Sequence, residues 1–125
     1  MSETPRTGVR TYRDLIAWQK AMALAERVYQ ATASFPDNEK FGLTAQMRRS
    51  AVSVASNIAE GFGRARKVEF RRFLDIARGS LFELQTQAEL SRRLGFLKGD
   101  NLASLRDVAQ ELDAILTGLI RSQRG

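Results

Sequence analysis

Between residues 48 and 78 the chain carries eight basic side chains, Arg48, Arg49, Arg64, Arg66, Lys67, Arg71, Arg72 and Arg78, against three acidic ones, Glu60, Glu69 and Asp75. The chemistry open to such a set is anion recognition. Arginine offers a planar fork of donors that matches phosphate or carboxylate oxygens two at a time. Arg71, Arg78 and Arg92 are separated by multiples of seven, so one helix would hold them in a row. Arg64, Arg66, Lys67 and Arg72 would join that row from the adjoining turn. A row of this kind can track a phosphate backbone. Asp75 and Glu89 share the face, which is also the pattern of an ordinary solvated surface. No base-reading motif accompanies it, so sequence-specific recognition is not implied.

A second constellation lies in SVASNIAEGFGR, residues 53–64, where Ser53, Ser56, Asn57 and Glu60 fall three or four apart. Small and amide side chains allow another helix to approach closely while hydrogen bonds are exchanged. With Gln46, Arg48 and Arg49 before them, and Glu69, Ser80 and Glu83 on the following helix, they form a candidate polar seam against a neighbouring helix or subunit. Buried members of such a seam must be satisfied, since an orphaned polar group costs about 1–3 kcal/mol. Glu60, Glu69 and Glu83 are candidate counter-ions for Arg48 or Arg49, a role that holds a fold more often than it carries out chemistry.

Catalysis is disfavoured by what is missing. The chain has no His and no Cys. That removes the commonest general base and metal ligand, thiolate sites, disulfides, and every Ser-His or Cys-His nucleophile pair. Carboxylate metal sites in helix bundles usually include His, so neither a metal nor a cofactor is expected, and the reading is a non-enzyme. The absence of Cys suits a reducing cytoplasmic compartment. No run reaches the roughly 18 apolar residues of a membrane span, and the first residues, MSETPRTGVRTYRD, lack the apolar region of a signal peptide. The net charge of +6 comes almost wholly from residues 48–78, which points to nucleic acid before membrane.

The elements that position these residues are all helical by period. At 125 residues the chain is one domain: a disordered lead over 1–11, then a bundle over 12–122 with helices at about 13–34, 43–61, 66–94 and 101–122. The first seam reads Leu15, Trp18, Met22, Ala25 and Tyr29, and stops before Pro36. The second reads Leu43, Met47, Ala51, Val54 and Ile58, with Gly61 as a left-handed cap. Phe70, Leu74, Ala77, Leu81, Leu84 and Ala88 form the third, closed by Gly95 with Phe96 folding back. Ile76, Leu90 and Leu94 give this helix a second apolar strip, hence a second packing partner or a subunit interface. The fourth, Leu102, Leu105, Ala109, Leu112, Leu116 and Leu119, follows an N-cap at Asp100 or Asn101. The fold class is all-α, an antiparallel up-down-up-down four-helix bundle.

Three stretches, LIAWQKAMAL, FPDNEKFGLTAQMRRSAVSVASNIAEGFGR and FLDIARGSLFELQTQ, in that order, resemble the four-helix-bundle proteins of the 23S rRNA intervening sequences, often labelled S23 ribosomal proteins. The likeness covers roughly residues 12–97, and its most specific part is GLxxQxRR followed by SNIAEG. It implies a homo-oligomeric, typically pentameric, ring. It also implies similarity to the accessory protein of diversity-generating retroelements, whose basic ring engages nucleic acid and a reverse transcriptase. RNA or DNA, a second copy of the chain, and a reverse transcriptase are the partners this suggests. The matching motif positions are Gln46, Arg48, Arg49, Ser53, Asn57, Glu60, Gly61, Arg64, Ser80 and Glu83. One departure is Ala55, where the family commonly has the proline that would kink the second helix. The leading expectation is a non-catalytic oligomer that binds nucleic-acid backbones through its arginines. The alternative is an assembly scaffold that binds none.

Overall fold

Leucines and alanines at helical spacing, with only two prolines in the chain, leave long uninterrupted helices as the way to bury apolar surface. The computed structural model describes residues 8–123. It contains a 3-10 turn at Tyr12–Asp14, α1 at Ile16–Thr32, a second 3-10 turn at Asp37–Glu39, α2 at Leu43–Phe62, α3 at Lys67–Arg93 and α4 at Gly99–Ser122. Among the described residues there is no strand. Helix α1 lies against α2 and α4, and α3 lies against the same two, while α1 and α3, and α2 and α4, face each other across the core with no Cα pair within 8 Å. The core runs between all four, around Leu24, Met47, Ile58, Leu74, Leu81, Leu84, Leu105, Leu112 and Leu116. Each fully buried Leu or Ile contributes on the order of 1.5–3 kcal/mol.

The expected seams of α2, α3 and α4 are the faces that pack inward. That of α1 is not. Met22 and Tyr29 are 39% and 46% exposed, and the buried face is instead Ala17, Ala21, Leu24, Val28 and Ala31. Both sets step by three and four, so the period cannot choose between them. The alanine-rich set lets the backbone of α1 come close to α2 and α4, and it turns the wide Trp18, Met22 and Tyr29 to the rim beside α2. There they border a groove with Val52, Ala55 and Ala59.

The ends of the helices have local causes. Of the lead expected to be disordered over 1–11, residues 1–7 lie outside the described residues. The amides of Arg10 and Thr11 donate to Asp14 Oδ2 at 2.8 and 3.1 Å, and Arg13 N donates to Thr11 Oγ1 at 3.1 Å. This closed capping box makes a separate turn of Tyr12–Asp14, and α1 starts after it. The two amides, Arg10 first, hold the Asp14 carboxyl below the usual carboxylate range. Helix α2 has no side-chain cap from Gly42; Glu39 reaches over and its Oε1 accepts from Leu43 N at 3.0 Å.

Gly61 is not the left-handed stop expected of it. It lies inside α2, which runs through Phe62 to Gly63, a cap with helical φ. Its lack of a side chain is used for packing, since a Cβ there would lie 2.6 Å from Phe73 Cβ. Gly95 does take the left-handed conformation (φ +81°), and Phe96 N and Gly95 N donate to the carbonyls of Ser91 and Arg92. Those are the two bonds of a Schellman cap. Helix α4 begins at Gly99 (φ +62°), after Lys98, so Asp100 stands in its first turn rather than capping it. With Ala55 buried in mid-helix, α2 runs unbroken through the position where a proline would kink it.

Candidate nucleic-acid interface

The α2–α3 turn, residues 63–66, carries Arg64 and Arg66, both exposed, and hands the chain to Lys67 at the first position of α3. Arg64 pairs one turn back with Glu60 at 2.9 Å and lies 4.9 Å from the Phe73 ring centroid. Arg72 lies 3.7 Å from Glu69 and 5.6 Å from the same ring. These exposed pairs hold the side chains loosely, being worth at most about 1 kcal/mol each. Arg66, Lys67 and Arg71 have no carboxylate within 4.0 Å among the described residues. Lys67 and Arg71 are four apart on α3 and therefore share a face with Arg78.

Further along, the row is not free. Arg78 Nε donates to Asp113 Oδ1 of α4 at 2.7 Å, and its guanidinium lies 4.7 Å from the Phe82 ring centroid. Arg92 grips both oxygens of Glu89, at 3.0 and 2.9 Å; Arg93 adds a bond at 2.9 Å and Arg106 of α4 one at 3.3 Å. The hydrogen bond from Arg92, then that from Arg93, holds the Glu89 carboxyl down to about 2 and raises Arg92 above its ordinary value. Arg93 and Arg106 were absent from the sequence-derived row. The spacing Glu89–Arg93, four apart in the favourable order, is the signal that marks the first of them.

The seam residues separate into those the fold brings together and those it does not. Ser53 and Ser80 are joined across α2 and α3 by a 2.9 Å bond between hydroxyls. Asn57 Nδ2 donates to Ser53 O at 2.9 Å and to Ser53 Oγ at 3.1 Å. Arg48 ties α2 to the end of α1. Its Nε donates to the buried Thr32 hydroxyl at 2.9 Å and its Nη2 to Tyr29 O at 3.3 Å, with the guanidinium 4.4 Å from the Tyr29 ring centroid. The expected carboxylate partners for Arg48 and Arg49 are therefore not found. Glu60 and Glu69 pair with Arg64 and Arg72, while Glu83, Gln46, Arg49 and Ser56 are exposed. The reason is register: Arg48 sits beside the last turn of α1, whose carbonyl and hydroxyl take its protons. Among the described residues no three carboxylates gather to hold a metal ion.

Compared with known proteins, residues 13–118 match the family described as 23S rRNA-intervening sequence protein. A solved structure, that of a protein of unknown function from the S23 ribosomal protein family of Bacteroides thetaiotaomicron, superposes with a TM-score of 0.75 at 22% identity. The match covers 84% of this chain and 98% of that one. The likeness shows a shared fold. No curated protein matches. With a family match over most of its length and the four-helix fold to accompany it, the chain belongs to the 23S rRNA-intervening sequence protein family.

Proposed function

We propose that the protein is a non-catalytic, self-assembling helix bundle that binds RNA or DNA backbones through the α2–α3 turn and the first turns of α3. The observation that carries this reading is the trio Arg66, Lys67 and Arg71, without carboxylate partners among the described residues, Arg66 at the N-cap of α3 and Lys67 and Arg71 on one face of its first turns. Cations that the fold leaves uncompensated are where phosphates gain most. Arg64 and Arg72 extend the patch at the cost of weak surface pairs, and Arg78 and Arg92 extend it only by giving up Asp113 and Glu89.

The bundle is read as up-down-up-down. Contacts of Thr32 with Arg48, Met47 with Ser91 and Arg78 with Asp113 support helices that each run back along the one before, and that of Lys20 with Glu111 supports α4 beside α1. The proposed assembly is a homo-oligomer, a pentameric ring in the cytoplasm. Its support is exposed apolar surface: Met22, Tyr29 and Val52 beside the α1–α2 groove, and Ile76 and Leu90 on α3 with Leu94 at its C-cap. The same strips favour the second reading, a scaffold that assembles without nucleic acid.

Fluorescence anisotropy of labelled RNA and DNA oligonucleotides over a salt series tests the first reading. Affinity is expected to fall log-linearly with salt, with a slope of about −0.7 to −0.9 per phosphate neutralised. Absence of binding at about 50 mM salt would leave the scaffold reading. Arg71→Glu then separates contact from fold, because among the described residues the Arg71 side chain has no hydrogen-bond or ion-pair partner to lose. Light scattering decides the oligomer.

A further inference from the structure

We infer that the end of the bundle beside the basic turn is a binding site for a small amphipathic acid, an apolar chain bearing one carboxylate. A cleft of about 870 Å3 opens there between the start of α1, the α2–α3 turn and the last turns of α4. That volume lies within the range of about 300–1,000 Å3 of small-molecule sites. Its lining is predominantly apolar. Leu15 and Ala17 of the α1 start, Phe62 and Phe70 of the α2–α3 corner, and Ile115 and Leu119 of α4 face it. Phe62 and Phe70 stand edge to face, ring centroids 6.0 Å apart, and form one wall.

The rim gives the cleft its sign. Arg64, Arg66 and Lys67 line it on one side and Asp14 on another. Arg64 is already balanced by Glu60. Asp14 is ionised and occupied by the amides of its own turn. Arg66 and Lys67 therefore form a cationic edge with no carboxylate within 4.0 Å among the described residues, beside an apolar lining that fits an alkyl chain with an anionic head rather than a bare phosphate. Helix α3 adds to this: its N-cap, Arg66, supplies no side-chain acceptor, so the positive end of a 27-residue helix meets the same rim. An apolar cavity with a single cationic edge is complementary to an alkyl carboxylate lying with its chain inward and its head at Arg66 and Lys67.

Gly118 shows where the space is. It lines the cleft from within α4, and a Cβ built on it meets nothing within 4 Å. A Cβ there meets no clash, and a substitution removes a glycine from a helix interior. This inference stands apart from the nucleic-acid reading, although the two share Arg66 and Lys67. Gly118 belongs to the cleft alone.

The test is isothermal titration of the full-length chain with dodecanoic acid below its micelle concentration, beside dodecan-1-ol as the uncharged analogue. The expected result is one saturable site per chain for the acid and affinity about ten-fold weaker for the alcohol. The double variant Arg66→Gln, Lys67→Gln brings the acid down to the level of the alcohol. Gly118→Leu abolishes binding of both while the helical circular-dichroism melt stays at or above that of the parent. Should that variant melt early, Ala114→Phe, one turn away on the same wall, fills the cleft in its place. Three outcomes overturn the proposal: no saturable binding, equal affinity for acid and alcohol, or binding that survives filling of the cleft. Oligonucleotide binding unaffected by Gly118→Leu keeps the two readings distinguishable.

Discussion

Gly61 of α2 and Phe73 of α3 meet with no room for a further atom: a Cβ on Gly61 would lie 2.6 Å from Phe73 Cβ and 3.1 Å from Phe70 Cδ1. The neighbour is the root of a buried side chain, not the end of a flexible one, so α3 would have to move. Helix propensity favours alanine over glycine by about 1 kcal/mol. The clash works against it, and overpacking a well-filled contact costs about 1–3 kcal/mol. Gly61→Ala is therefore expected to destabilise the chain by up to about 2 kcal/mol in urea unfolding. Gly79→Ala, also inside α3 but with nothing within 4 Å of the added Cβ, is expected to stabilise it by up to about 1 kcal/mol. If both changes stabilise, the close approach of α2 and α3 at Gly61 is wrong.

Ser53 and Ser80 couple the same two helices through their hydroxyls, and Ser80 is 8% exposed. Either serine changed to alanine leaves the other hydroxyl short of a partner, at a cost of about 0.5–1.5 kcal/mol. Ser53 keeps a donor in Asn57 Nδ2, so Ser80→Ala is the milder change for the group left behind. The double variant removes both hydroxyls and should cost less than the sum by about 0.5 kcal/mol or more. Strict additivity in chemical denaturation would show that the two do not interact.

Much of this was legible in the sequence and some was not, for physical reasons. Leu43, Met47, Ala51, Val54 and Ile58 announce their buried face because the other apolar set on α2, Ala45, Val52, Ala55 and Ala59, is made of smaller side chains. On α1 two sets share one period, and only the tightness of packing chooses Ala17, Ala21, Leu24 and Val28 over Trp18, Met22 and Tyr29. Gly61 looks like a helix stop because glycine serves both as a cap and as a point of contact, and sequence does not distinguish the uses. Gly95, followed by a hydrophobic residue, does have the local signature of a cap. For the site, the concentration of arginines is plain in the chain. Arg64, Arg72 and Arg92 pair with carboxylates three or four residues away, but the partner of Arg78 is Asp113 of α4, remote in sequence. The cleft beside the turn is likewise invisible until α1, α3 and α4 are placed together.

Glu89 sets a pH dependence of stability. Its carboxyl is held at about 2, chiefly by the hydrogen bond from Arg92 and then by that from Arg93, against an ordinary value of 4.5. A folded-state value below the unfolded one means that the contribution is complete above about 4.5 and is lost as pH falls toward about 2. Glu89→Gln should therefore lower Tm at neutral pH slightly and flatten its decline over that acid window. Because the group is exposed, the difference should shrink in about 1 M salt. Parallel acid limbs for the parent and Glu89→Gln would show that these pairs do not form in solution.

The same carboxylate governs how far the basic row can extend. With Glu89 present, Arg92 commits its Nε and Nη2 to that carboxylate and Arg93 and Arg106 are drawn to the same oxygens, so a phosphate competes with an existing partner. Glu89→Gln keeps the size of the side chain and removes the charge that competes. Nucleic-acid affinity is expected to rise, and the salt slope to steepen by about 0.7–0.9 for each further phosphate engaged. Arg78→Ala acts differently. It strips Asp113 of its partner, costs about 1 kcal/mol or less of stability for a half-exposed pair, and lowers affinity less than Arg71→Ala does. Anisotropy titrations of the four proteins at matched salt measure this directly. An unchanged slope in Glu89→Gln would confine the interface to the α2–α3 turn and the first turns of α3, whereas a larger loss from Arg78→Ala than from Arg71→Ala would place phosphate beside Asp113 after all.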